Sequence, residues 1–416
     1  MFYFYQIILS FILIVSPIII LFRIYKNKED KKRFIEKFSI PTKKRLNGNL
    51  IWFHGASVGE ILSVIPLIRH YEKNKFIDQI LVTSSTLSSA KIIKKFNFKK
   101  TIHQFYPIDH IYFTTKFLAF WKPSLAIFIE SEIWPCMFTN LNNKKIPLIL
   151  LNARLTKKTF KKWNKVQNFT KSIFNKITIA YPQNHETNSY LQKLKIDNTK
   201  VIGNLKFSEN DEDKHNDIGR KLKLAFNKKR VWVASSTHAN EEIFCAKTHI
   251  ELKKKIKNLI TIIIPRHVHR AKEIIFDLEK LGLKIISHSS KNINLKKADI
   301  YIVDTFGETK KFHRLGGSVF LGGSIIKRGG QNPLEAARYG TRILHGPNID
   351  NFKDVYRLLK NLKVSKKIKT PKELAKLVTF KKNKKIGIKI KKIGEKILKK
   401  TIKELDDLID DEFKKT

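Results

Sequence analysis

Residues 2–22 form one apolar run without a charge, FYFYQIILSFILIVSPIIILF. Its length matches what a helix needs to cross a bilayer core, about 20 residues. Basic residues follow at once: Arg23, Lys26, Lys28, Lys31, Lys32 and Arg33. Positive charge is retained on the cytoplasmic side, so the body of the protein is expected inside the cell. A cleaved leader places its positive charge ahead of the apolar run and small residues after it, and this segment does neither. It therefore reads as a retained membrane anchor over residues 1–22, with Pro17 as a candidate kink, followed by a basic juxtamembrane segment over 23–48.

From residue 50 the pattern changes. Short apolar runs (LIWF, QILVTS, LAIFI, PLILLN, ITIAYP) alternate with longer amphipathic stretches. Such alternation predicts parallel strands joined by crossover helices. A polar stretch over 208–226 predicts a linker, after which a second series begins with RVWVASS, LITIIIP, LKIIS, DIYIVD, SVFLGG and TRILHG. The prediction is an α/β protein with a Rossmann-like domain over 49–207 and another over 227–380. Ligands are expected at the carboxyl ends of the strands, in a cleft between the halves. Residues 381–416 predict a basic amphipathic helix, which either packs back on a domain or lies on a membrane surface. No internal repeat is visible.

Charge adds one constraint. Lys and Arg total 83 against 36 Asp and Glu, a net +47. The lysines are spread along the whole chain, and no aromatic-interleaved RNA signature accompanies them. Most of them read as compositional bias; as far as the charge marks a partner, an anionic membrane surface or a phosphorylated substrate is expected, and nucleic acid is not. Cys136 and Cys245 form no spaced framework, which fits a reducing compartment.

Five segments carry candidate chemistry. In HGASVGE (54–60) a strand runs into a small-residue turn, and Glu60 enters the next helix. It is either a general base or a first-turn acid favoured by the helix dipole. In ESEIWP (130–135) Glu130 and Glu132 follow an apolar strand, and strand spacing puts both on one face. Lys206, in GNLKF, is placed to neutralise a leaving phosphate or is one more solvated lysine. Pro265 and Arg266 close a strongly apolar strand, and Arg suits bidentate phosphate binding. His267 and His269 lie beside them without carboxylates or cysteines at ligand spacing, so no metal is expected. The longest segment joins VDTFGE (303–308) to FLGGSIIKRGGQNPLEAARYG (320–340). Its glycines 322, 323, 329 and 330 permit a phosphate-cradling turn ahead of a helix. Glu335 offers an acceptor for ribose hydroxyls. The Walker A spacing is absent.

Together with LNARLTKKTF, SSTHANEE and PRHVHR, these motifs stand in the order that resembles the Kdo (3-deoxy-D-manno-octulosonic acid) transferases of Gram-negative bacteria, from about Trp52 to Phe352. The resemblance implies a GT-B fold, two Rossmann-like domains facing a central cleft, preceded by an N-terminal membrane-anchor helix at the cell inner membrane. It implies a CMP-Kdo donor, a lipid IV(A) acceptor, no cofactor and no metal at the catalytic step. It also implies Glu60 as proton acceptor, with Glu130 and Lys206 supporting the transition state. The CMP contacts it implies are Pro265, Arg266, Phe306, Gly307, Glu308, Asn332, Pro333, Leu334 and Glu335. Two positions depart from the family pattern. Gln331 stands where His is usual, which removes a titratable group. Cys136 stands where Asn is common, and a free Cys packs as a small hydrophobe.

Overall fold

A computed structural model describes residues 1–209, 218–290 and 293–413. The chain forms two compact units, one of residues 1–210 with 393–416 and one of residues 211–392.

The first unit is built on six parallel strands: β1 (Leu50–His54), β2 (Gln79–Ser84), β3 (Thr101–Phe105), β4 (Leu125–Ile129), β5 (Leu148–Ala153) and β6 (Ile179–Pro182). Their order in the sheet is β3-β2-β1-β4-β5-β6. Alternate strand residues feed two cores. Trp52, Leu81, Phe128 and Leu150 pack in one, and Ile51, Phe53, Ile80 and Ile127 pack in the other. A parallel sheet must be covered on both faces, which is why its strands read as continuous apolar runs. The order reverses between β1 and β4, and the carboxyl ends flanking that reversal form the natural ligand crevice of a doubly wound sheet. The motif containing Glu60 follows β1 and the motif containing Glu130 follows β4.

The second unit repeats the plan with β7 (Arg230–Thr237), β8 (Leu259–Pro265), β9 (Ile285–Ser287), β10 (Ile300–Ile302), β11 (Ser318–Leu321), β12 (Arg342–His345) and β13 (Ser365–Lys367). The order is β13-β12-β11-β7-β8-β10-β9, all parallel pairings. Here the reversal lies between β7 and β11. Trp232, Ala234, Ile263 and Phe320 fill the core on one face.

Three segments differ in detail from the sequence pattern. The N-terminal helix runs Phe2–Tyr25, a turn beyond the apolar run. Residues 210–217 of the expected linker lie outside the described residues, and its end belongs to a helix, Arg220–Asn227, anchored by buried Phe226. The tail forms one helix, Lys384–Phe413. It packs on protein: Ile397, Ile402, Leu405 and Ile409 join the same core as Ile68, and Lys400 Nζ donates to the Val201 carbonyl at 3.0 Å.

Candidate active site

Glu60 sits in the first turn of the Val58–Tyr71 helix, immediately after β1. A capping box holds it. The Ser57 hydroxyl accepts from the Glu60 amide, and the Glu60 carboxylate accepts from Ala56 N at 2.7 Å and from Ser57 Oγ at 2.8 Å. Capping residues are normally exposed. This one is partly buried, and burial, then the charges of Glu132 and Glu130, push its carboxyl up to about 7 against the hydrogen bonds from Ser57. The helix cap thus coexists with a raised proton affinity on one carboxylate.

Glu130 and Glu132 do not share a strand face. β4 ends at Ile129, and Glu130 has a left-handed φ of 58°. Strand alternation therefore stops one residue too early for the predicted geometry. A left-handed conformation costs a residue with a Cβ about 1–2 kcal/mol. Here it turns the Glu130 side chain inward, where it is 5% exposed and ion-paired with Lys206. Lys206 is delivered by a short 3₁₀ turn, Leu205–Ser208. Asn152, also left-handed at φ 53°, holds that turn by accepting from Leu205 N at 3.1 Å.

Glu132 goes to a different set of partners. Its Oε2 accepts from His54 Nε2 at 3.2 Å and from Trp134 Nε1 at 3.0 Å. His54 Nδ1 meets Thr83 Oγ1 at 2.9 Å, and that oxygen also accepts from Trp52 Nε1. The Glu132 carboxylate can only accept, so Nε2 carries the hydrogen that faces it. Burial lowers the His54 pKa, with Glu132 opposing, so a neutral ring suits the site. The ring also stacks on Tyr106 at 3.9 Å. His54, Trp134 and Asn152 were missed as site residues in the sequence. His54 and Trp134 lie inside the quoted motifs, but only the folded sheet shows that they orient a carboxylate.

In the second unit Pro265 closes β8, and Arg266 is exposed just beyond it, its amide donating to the Thr237 carbonyl at 2.9 Å. Phe306 is 87% exposed, Gly307 has φ +90°, and Glu308 pairs with Lys311 at 2.9 Å. Asn332 Oδ1 accepts from Leu334 N at 3.1 Å. Pro333 and Leu334 are buried, whereas Glu335 is partly exposed in the first turn that follows.

Two expectations for this segment fail. The glycine turn is not an open cradle: buried Glu241 accepts from Gly323 N at 2.7 Å, Ser324 N at 3.1 Å and Ile325 N at 3.0 Å. A carboxylate of the chain occupies the donors that a phosphate would use. The helix after Gly330 spans only Leu334–Ala337, too few peptides to build a substantial dipole. Positive charge comes instead from side chains. Gly323 lies against Arg328, Gln331 and His238. The His238 and His267 rings are 5.8 Å apart. Burial, and then His267, Arg328 and Arg266, hold His238 below its ordinary pKa despite Glu241. Arg266, Arg328 and the two imidazoles thus form one anion-attracting group at the ends of β7, β8 and β11. Arg328 and His238 were not among the residues singled out from the sequence.

Two doubly wound parallel sheets, each with charged residues at the carboxyl ends beside the reversal in strand order, define a protein of the GT-B-like α/β class. The fold is shared with a UDP-GlcNAc 2-epimerase of Neisseria meningitidis solved with UDP-GlcNAc (TM-score 0.51, 15% identity, 84% of this chain and all of that one). It is also shared with an Anabaena protein solved with UDP and glucose (TM-score 0.54, 11% identity, 87% of this chain and all of that one). Residues 32–209 match the family model described as 3-deoxy-D-manno-octulosonic-acid transferase. The 3-deoxy-D-manno-octulosonic acid transferase of Rickettsia bellii is 35% identical over 373 residues, 89% of each chain. That of Haemophilus influenzae is 27% identical over 315 residues, 74% of this chain and 73% of its own. The chain belongs to the Kdo transferase family.

Proposed function

We propose that the protein transfers Kdo from CMP-Kdo to lipid IV(A), with inversion at the anomeric carbon and Glu60 as general base. The observation that carries this is the carboxyl of Glu60, raised to about 7 at the end of β1, beside the reversal in strand order. A base with a pKa near ambient pH combines a useful ionised fraction with proton affinity. An acceptor sugar hydroxyl attacks the Kdo anomeric carbon as the bond from that carbon to the CMP phosphate oxygen breaks. The hydroxyl proton passes to Glu60, and CMP departs with the bonding electron pair. The sugar carries oxocarbenium character at the midpoint. Glu130 and Lys206 stabilise that charge separation as a pre-oriented ion pair. Direct displacement of CMP with proton transfer to one carboxylate, and no glycosyl-enzyme step, is the scheme that gives inversion.

Arg266, with Arg328 and the imidazoles beside it, receives the nucleotide phosphate. Phe306, Gly307, Glu308, Asn332, Pro333, Leu334 and Glu335 surround the nucleoside, a role carried over from the family motifs. The N-terminal helix, with a mean hydropathy of 2.8, holds the enzyme at the inner membrane with both units on the cytoplasmic side. That is where a bisphosphorylated lipid precursor meets basic residues. Mass spectrometry of lipid IV(A) incubated with purified protein and freshly generated CMP-Kdo tests the assignment. The expected product carries the mass of one or more added Kdo units, and unchanged lipid refutes it.

A further inference from the structure

We propose that the N-terminal helix lies flat in one leaflet, packed along its length on the first unit, and does not cross the membrane. The inference rests on the reading that this helix holds the protein to an anionic bilayer. It goes further by fixing how the helix does so.

The covered positions of the helix are regularly spaced. Phe2, Tyr5, Leu9, Leu13, Ser16 and Ile20 are partly or fully buried, with Gln6 beside Tyr5, and the other residues between Phe2 and Ile20 are exposed. Spacing by three or four residues marks one continuous face. Specific contacts tie that face to the unit near the beginning of the helix. The Tyr5 hydroxyl donates to Asp109 Oδ2 at 2.9 Å. Ser10 Oγ meets His110 Nε2 at 3.3 Å. The Ser10 hydroxyl is already donated to the Gln6 carbonyl and His110 Nδ1 accepts from Tyr112 N, so Nε2–H is the donor. The far end is tied as well: Arg23 Nε pairs with buried Glu29 at 2.8 Å, and Glu29 also takes Lys37 at 2.7 Å. A helix of this length measures about 36 Å. To cross the hydrocarbon it would have to carry its first turns about 30 Å from a unit that stays in water. The contacts of Tyr5 and Ser10 would then be lost.

The opposite face has no covering among the described residues. It consists of large apolar side chains, Tyr3, Phe4, Phe11, Ile14, Ile18 and Phe22 among them, all more than half exposed. Charge identifies the occupant. The helix Lys157–Asn164 has no buried residue and exposes Lys157, Lys158, Lys161 and Lys162. Just beyond it, the Phe169 ring meets Tyr5 at 6.3 Å and Trp163 at 6.3 Å. An apolar ridge beside a lysine-rich, aromatic-bearing helix matches acyl chains beneath anionic headgroups.

This placement has a consequence for catalysis. Asp109, which receives Tyr5, also accepts from Cys136 N at 3.1 Å and Met137 N at 2.9 Å, at the start of the helix that follows Trp134. A flat helix therefore sets the loop carrying Glu130 and Glu132 at headgroup depth. A phosphorylated lipid can present its sugar there without leaving the leaflet.

Topology of the full-length protein in membranes decides the matter and is read independently of Kdo transfer. Cleavable epitopes are placed ahead of Met1 and after Thr416, and protease is added to intact spheroplasts or to inside-out vesicles. The expected result is that both epitopes are cut from the same side. A second readout uses Ser10→Cys with His110→Cys and a short bis-maleimide, with native Cys136 and Cys245 fully buried. A bridge within one chain is expected. Flotation with phosphatidylglycerol vesicles should carry the protein upward. Epitopes cut from opposite sides, same-side epitopes without a bridge, or a dimer that does not float each overturn the proposal, the last by making the apolar face a contact between copies.

Discussion

The carboxylate proposed as the base also caps a helix. Glu60 caps its helix and is raised to about 7 by burial and by two like charges. Glu60→Gln keeps the cap, because Gln serves in a capping box, and removes the base. Turnover is expected to fall by about 10²–10⁴-fold with unchanged CMP affinity, measured by steady-state kinetics and calorimetry. The wild-type pH profile follows from the same pKa. The base form is lost as pH falls through about 7, so kcat/KM should decline on the acid side with an inflection near that value. Glu132→Gln keeps the acceptor for His54 and Trp134 but removes one like charge. The acid limb should therefore move to lower pH. A limb that stays in place would mean that Glu132 does not act on Glu60.

At the scale of elements, residues at strand ends do the positioning. Asn152 sits in a left-handed conformation at the end of β5 and holds the 3₁₀ turn that delivers Lys206. Asn152→Gly preserves the backbone conformation, since glycine adopts positive φ freely, and removes only the side-chain acceptor. Turnover should drop while CMP binding and the circular dichroism spectrum are unchanged. An unaltered turnover would show that Lys206 is held by other means. In the second unit, the ends of β7, β8 and β11 gather cations rather than open amides. Arg266→Ala and Arg328→Ala should each weaken CMP binding by about tenfold or more, as loss of a charge-assisted phosphate contact does. His238 and His267 titrate below the ordinary histidine value. A bound phosphate favours their protonated forms, so CMP affinity should rise as pH falls below neutrality, a trend that calorimetry at several pH values will show or refute.

For the molecule as a whole, the N-terminal helix and the core are separable. Ser16 and Ile20 of that helix are buried and Phe2, Tyr5, Leu9 and Leu13 partly so, a single face laid on the first unit and outside its sheet. The loss of stability is expected to be about 3 kcal/mol or more, the worth of one or two well-buried apolar side chains. Asp109 keeps its two backbone donors. The truncated protein should leave membranes at high salt, yet fold and transfer Kdo to detergent-dispersed acceptor. Attachment at low salt should persist through the lysine-rich surface and fade as salt screens it. An unfolded product in circular dichroism would show that the helix is part of the core.

The order of short apolar runs and amphipathic stretches was enough to define two doubly wound units, because a parallel sheet buried on both faces leaves an unmistakable rhythm in the chain. The ordered motifs carried the family and most candidate residues, several of them in the segment directly after a strand, as Glu60, Glu130 and Arg266 are. Periodicity could not reach past the strand ends. Glu130 and Glu132 diverge because β4 stops at Ile129 and the next residue turns left-handed. Glu241 fills the glycine turn from 82 residues away in sequence to Gly323, and no local pattern announces a contact over that distance. Likewise the apolar run of residues 2–22 marked a helix long and apolar enough to cross a membrane. Which of its faces meets protein was decided only when Asp109 and His110 were brought beside Tyr5 and Ser10. Local pattern determines what an element is; the partners that orient a carboxylate or seat a helix against its unit come from distant parts of the chain and exist only in the folded state.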